Sequence, residues 1–209
     1  MKTTDSGAHW AVAAHGSYPS GTVVTLSPTG MGWLTGSSDV VLNQIILDES
    51  TDGGRHWTMP GHPWPLPSGN WQVATSPPWF DGHGATVASR IESSHGVFWS
   101  FYRGETPRGR WTALPPVPTG FDLAQSAMNF IGQGPVADFR GTSGWMVGAH
   151  DVARLDDGHW QLRKRPAGQP LALTAMSATR GWLLVGNGQR DTLWETQNAG
   201  KTWQAIQSS

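Results

Sequence analysis

The chain has 209 residues, and its 27 glycines and 15 prolines disfavour long helices, since these are the two poorest helix formers. Thirteen tryptophans exclude a disordered chain, which would lack large groups to bury. Fourteen basic against fifteen acidic residues leave a net charge of −1 and no electrostatic footprint for nucleic acid, and zero cysteines exclude disulfides, Cys-ligated zinc and thiol catalysis.

In chain order, residues 1–14 hold a turn, Thr3-Thr4-Asp5-Ser6-Gly7-Ala8-His9-Trp10, that leads into a short apolar segment. Residues 21–61 then read as a run of short strands bounded by turn residues: TVVTLS (22–27), MGWLTG (31–36), QIILDEST (44–51) and HWTMPG (56–61). Pro60, Pro63, Pro65 and Pro67 stiffen the connector that follows and deny it ladder donors. Residues 70–116 contain WQVATS (71–76), VFWSFYRG (97–104) and RWTALP (110–115). The segment 117–134 is longer than an ordinary connection. Within it Ala124, Ala127, Met128 and Ile131 keep helical spacing behind Asp122 and ahead of Gly132, which predicts a turn or two of helix. Residues 135–166 supply PVADFR (135–140), SGWMVG (143–148) and HWQLRK (159–164). Residues 170–207 supply PLALTAM (170–176), RGWLLVG (180–186), DTLWETQ (191–197) and TWQAIQ (202–207).

The segments repeat. Trp10, Trp57, Trp111, Trp160 and Trp203 each open the last segment of a unit and are spaced by 47, 54, 49 and 43 residues. Before three of them stands one turn: Ser or Thr, then Asp or Asn two residues on, Gly two further, and Trp after three more. Its members are Thr3, Asp5, Gly7 and Trp10; Ser50, Asp52, Gly54 and Trp57; and Thr196, Asn198, Gly200 and Trp203. At Trp111 and Trp160 the turn is a residue shorter, with Gly109 and Gly158 two before the ring. Four strands in a period of about 48 residues is the requirement of a propeller blade. The fold expected is an all-β propeller of four-stranded antiparallel blades: four whole ones (about 21–61, 70–116, 135–166 and 170–207) and a partial one at 1–14, forming an incomplete ring.

The chemistry of the repeated turn is local. Asp5, Asp52 and Asn198 can accept backbone N–H bonds within their own turns, Thr3, Ser50 and Thr196 can add a hydroxyl, and Gly7, Gly54 and Gly200 can supply positive φ. The closing Trp offers an apolar face for packing between blades. Taken together, these features resemble the Asp-box, or BNR repeat, of sialidase-like β-propellers. The Gly-Trp strands look most like the photosystem II stability/assembly factor-like proteins, a broad bacterial group. The resemblance covers nearly the whole chain and implies that the boxes lie at the periphery with a structural role. It also implies a parent ring of six or seven blades and an extracytoplasmic or secreted location, although MKTTDSGAHW has no apolar stretch of a signal peptide.

Sialidases of this architecture are implied to need three arginines, a Tyr–Glu pair and an acidic proton donor. This chain offers Tyr18 and Tyr102, and Glu49, Glu92, Glu105 and Glu195. Ser89-Arg90-Ile91-Glu92 is similar to the sialidase Arg-Ile-Pro motif but has Glu where Pro belongs, so Arg90 reads as a solvent-facing strand residue. Xyloglucanase-type enzymes are implied to use paired Asp across a cleft. Asp156 and Asp157 are adjacent, would diverge on a strand, and read as a degenerate box turn. None of the eight histidines has H-x-H or H-x-x-x-H spacing, so no metal or cofactor is expected. Asp81-Gly82-His83-Gly84 reads as a tight polar turn, and Arg163-Lys164-Arg165 as a solvated strand end. No membrane-span-length apolar run occurs. The function expected is a non-catalytic platform for a protein or carbohydrate partner, with self-association through open propeller edges. The alternative is a fragment of a sialidase-like or xyloglucanase-like glycoside hydrolase.

Overall fold

The computed structural model describes residues 8–9, 23–27, 30–36, 46–58, 72–81, 84–94, 96–105, 110–124 and 135–206. Sixteen strands follow one another in four antiparallel sheets, and no helix occurs among the described residues. Sheet 1 contains β1 (Val23–Leu26), β2 (Gly32–Gly36) and β3 (Ile46–Ser50). Its outer edge is continued by Thr58, which exchanges both backbone hydrogen bonds with Glu49. Sheet 2 contains β4 (Gln72–Thr75), β5 (Trp79–Phe80), β6 (Ala85–Ser93), β7 (Gly96–Gly104) and β8 (Trp111–Ala113). Sheet 3 contains β9 (Ala137–Arg140), β10 (Ser143–Val147), β11 (Asp151–Asp156) and β12 (His159–Lys164). Sheet 4 contains β13 (Gln169–Ala175), β14 (Gly181–Gly186), β15 (Asp191–Thr196) and β16 (Gln204–Ala205). In sheets 3 and 4 the strands lie side by side in sequence order, an up-and-down blade.

The core lies between sheets. One cluster joins Trp33 and Leu47 of sheet 1 to Val87, Tyr102 and Trp111 of sheet 2. A second joins Ala88 and Phe101 of sheet 2 to Phe139, Met146 and Leu155 of sheet 3. A third joins Trp145, Val147 and Val152 of sheet 3 to Leu173, Leu183 and Val185 of sheet 4. Because side chains alternate across a strand, each sheet has a leading face toward its predecessor and a trailing face toward its successor. Radial succession of blades, each contacting its neighbours, is the β-propeller arrangement.

One departure from the sequence-based expectation has a physical cause. The first strand of sheet 2 is split in two, β4 and β5, both paired with β6. The break falls at Ser76-Pro77-Pro78, where two prolines cannot donate to the ladder. The Ser76 backbone N–H still reaches the Ala88 carbonyl, and its hydroxyl accepts the Ala88 N–H. Of the helix expected over Ala124, Ala127, Met128 and Ile131, only Ala124 lies among the described residues. Just before it Leu123 bridges Gly148, and Ala124 donates its N–H to the Val147 carbonyl and accepts one from Val136. That stretch extends the edge of sheet 3; residues 125–134 lie outside the described residues, as do the four prolines of the connector.

Candidate functional site

The residues singled out from sequence sit in the repeated turns. In one, the Ser50 hydroxyl accepts the Gly54 N–H at 2.9 Å and donates to Asp52 Oδ1 at 2.9 Å. Asp52 Oδ1 also accepts the N–H groups of Arg55 and His56, each at 3.0 Å, and Oδ2 lies 2.6 Å from His56 Nδ1. These bonds, the His56 N–H foremost and its ring next, hold the Asp52 carboxyl well below the usual carboxylate range. The Trp57 indole donates to the Gly54 carbonyl at 3.1 Å. In the other, Thr196 Oγ1 accepts the Gly200 N–H at 3.0 Å and donates to Asn198 Oδ1 at 3.2 Å, which accepts the Thr202 N–H at 2.9 Å. Gly54 (φ 82°) and Gly200 (φ 77°) take the left-handed conformation that favours glycine. In both turns the hydroxyl and the carboxylate or amide of the box bond within the turn itself, to its backbone N–H groups and to one another. Thr3, Asp5, Gly7 and Trp10 lie outside the described residues.

The Trp that closes a unit reaches back to the preceding one. The buried Trp111 donates its indole N–H to Oε1 of the buried Glu49 on β3, at 3.1 Å. Trp160 donates to the Pro115 carbonyl, beyond β8, at 3.1 Å. Trp203 stands edge-on to Trp145 of sheet 3, ring centroids 6.4 Å apart.

Four of the charged residues weighed for catalysis, Arg90, Glu92, Asp156 and Glu195, are held by neighbours of opposite sign. Arg90 Nη1 binds Glu92 Oε2 at 2.7 Å on the same face of β6. Arg90 is half-buried rather than solvent-facing, because that face of β6 packs toward sheet 3. Arg154 binds Asp156 at 2.8 Å, and Asp157 (φ 47°) with Gly158 (φ 74°) forms the turn to β12. Arg180 binds Glu195 at 2.7 Å; this contact, with Gln197, lowers the Glu195 carboxyl from its ordinary value. Arg165 is also not a solvated strand end: its guanidinium gathers the carbonyls of Gly148, Ala149, Pro166 and Gly168. Asp81 and Gly84 close a turn, with the Gly84 N–H on Asp81 Oδ1 at 3.0 Å; His83 lies outside the described residues.

Besides Glu49, sequence reasoning missed two further buried carboxylate contacts. Asp81 Oδ2 meets Arg103 Nη2 at 2.7 Å, and both side chains are largely buried. Asp138 on β9 accepts the Ala175 N–H of sheet 4 at 2.7 Å, and burial raises its carboxyl above the ordinary value. Neither pair is close in sequence, and no spacing rule points to it.

A concavity lies among the described residues. β9 packs against both β5 and β13, so the first strands of sheets 2, 3 and 4 converge. Between them lies an open cleft of about 250 Å³ lined by Ser76, Pro77, Pro78 and Trp79, by Pro135, Val136 and Ala137, and by Leu171, Ala172 and Leu173. The Pro-Pro break in sheet 2 forms one wall. Trp79 is braced from behind by Phe139, ring centroids 5.3 Å apart. The lining holds no titratable side chain, and among the described residues no group of three or more His, Cys, Asp or Glu could hold a metal ion. No described helix is long and apolar enough to cross a membrane.

No protein-family model matches the sequence, and no curated protein matches it. Among solved structures the chain is similar to the crystal structure of a GH74 xyloglucanase from Xanthomonas campestris, at 16% sequence identity and a TM-score of 0.37. The likeness covers 86% of this chain and 30% of that one, so the chain spans less than a third of that enzyme's length.

Proposed function

We propose that the chain is a non-catalytic Asp-box propeller that binds a protein or carbohydrate partner in the cleft between the first strands of sheets 2, 3 and 4. The cleft itself carries this reading. Its walls are apolar and aromatic, with Ser76 the only polar side chain among the lining residues. Such a surface recognises by shape and stacking. Glycoside hydrolysis of the paired-carboxylate kind needs two carboxyl groups facing each other across the scissile bond. Here Glu92, Asp156 and Glu195 are each engaged by an arginine of their own sheet, away from the cleft lining. In this reading Ser50, Asp52, Gly54 and Trp57, with Thr196, Asn198, Gly200 and Trp203, are Asp-box residues that fix strand entry. Thr3, Asp5, Gly7 and Trp10 are a third copy.

The test is a screen of the purified chain against a glycan array and a displayed peptide library. Ligands recovered are expected to lose binding to Ala172→Arg, which fills the cleft from an exposed position. Retained binding to that variant would place recognition elsewhere. Turnover of an oligoglucan or a fluorogenic sialoside, abolished by Glu92→Gln, would overturn the non-catalytic reading.

A further inference from the structure

The three inter-sheet interfaces follow one plan. On the second and third strands of the sheets, the pairs Trp33–Glu49, Thr86–Arg103, Trp145–Arg154 and Trp182–Glu195 hold the same register position on the trailing face. The residue two before the third-strand member shares that face. In sheets 1, 2 and 3 it is Leu47, Phe101 and Val152, exposed by 1%, 2% and 1% against the next sheet. In sheet 4 it is Leu193, exposed by 37%. Its backbone partner Ile206 is also exposed. The trailing face of sheet 4 therefore has the composition of an interface without a following sheet on it.

The leading faces show the converse. Opposite Met146 and Leu183 on the first strands stand Ala137 and Leu173, exposed by 8% and 9%. On the first strand of sheet 1 the corresponding residue, Val24, is exposed by 52% and Leu26 beside it is exposed as well, while Leu34 opposite Val24 on the second strand is buried. The closing Trp fits the same pattern. Trp111 gives its N–H to the preceding sheet, whereas Trp57 is only half-buried, lies over Gly32 and Leu26, and gives its N–H to Gly54 of its own turn. One chain thus carries both halves of a fourth interface. Within the chain they do not cover one another, since Val24 and Leu26 on one side and Leu193 and Ile206 on the other stay exposed.

We propose that copies of this chain associate head to tail, the trailing face of sheet 4 (Trp182, Leu193, Glu195, Ile206) packing on the leading face of sheet 1 (Val24, Leu26, Trp57) of the next copy. The contact continues the geometry of the three internal interfaces, so Trp57 takes up toward Glu195 the role Trp111 has toward Glu49. It is heterologous, the two surfaces being different, and it gives a closed ring or an open series according to the rotation per copy.

Sedimentation velocity on the full chain over a range of concentrations tests this. The mass is expected to rise with concentration, and Leu193→Glu and Val24→Glu are each expected to weaken association at least about tenfold. An equimolar mixture of the two variants is expected to form a discrete dimer, because each retains the face the other has lost. Both substituted positions are exposed, and Ile206→Glu provides a second variant of the sheet 4 face should Leu193→Glu misfold by circular dichroism. A wild-type chain that stays monomeric throughout would overturn the proposal and leave these faces to a different protein. A mixture of the two variants that stays monomeric would overturn it too, because the two retained faces should pair; undiminished self-association of either variant alone would overturn it by showing an interface made from one face twice.

Discussion

Asp52 and Asn198 occupy the same place in two equivalent turns, yet only one of them titrates. The Asp52 carboxyl, held low by the His56 N–H and ring and by its other donors, is ionised in the folded state down to a pH at which the unfolded chain, with a carboxyl pKa of about 3.9, has taken up its proton. Its stabilising contribution is therefore complete above the unfolded value and is lost as pH falls toward the folded one. Asp52→Asn keeps an oxygen for the Arg55 and His56 N–H groups, as Asn198 does for Thr202. The variant is expected to melt slightly below wild type at neutral pH, and its melting temperature should fall less than that of wild type between pH 5 and pH 3. Thermal melts across that range measure it; parallel curves for the two proteins would contradict the assignment. Glu195, also lowered, adds a slope of the same sign to both proteins and cancels in the comparison.

Among the strands, close packing fixes where glycine must stand. In sheet 2, a Cβ on Gly104 would lie 2.8–3.0 Å from ring atoms of Trp111, against which β7 is pressed. In sheet 3, a Cβ on Gly144 would overlap the Phe139 ring. These glycines serve by lacking a side chain; neither needs a positive φ. Gly104→Ala is expected to cost about 1–3 kcal/mol, the usual range for overpacking, and to raise the exposure of Trp111. Denaturant unfolding with a shifted midpoint and unchanged m-value is the expected signature; an unchanged midpoint would mean that β8 moves aside freely.

Across the whole molecule, stability is transmitted from sheet to sheet through the three clusters, the quasi-one-dimensional logic of repeat proteins. Phe139 sits at the centre of the second cluster, in contact with Phe101, Trp79 and Trp160. Phe139→Ala is expected to cost about 3–5 kcal/mol, mostly in the coupling between sheets 2 and 3. Scanning calorimetry should then resolve the melting of sheets 1 and 2 from that of sheets 3 and 4. A single sharper or unshifted transition would show that cooperativity does not run through this interface.

The Trp period, the Gly-Trp strands and the residues of the repeated turn were legible in the sequence, because each depends on neighbours within a few positions. A carboxylate or amide that caps its own turn uses the same contacts in any fold, so Ser50, Asp52 and Gly54 can be read without coordinates. β6 was barely visible, because Ala85-Thr86 stands where other units have Gly-Trp. Only tertiary structure decided that Glu49 accepts the Trp111 N–H, that Asp81 meets Arg103, and that Ser76-Pro77-Pro78 joins Pro135 and Leu171 around one cleft. Those partners are distant in the chain or belong to different strands. They meet because sheets stack with alternate residues facing alternate neighbours, a relation that fixes which residues approach one another without fixing their spacing in sequence.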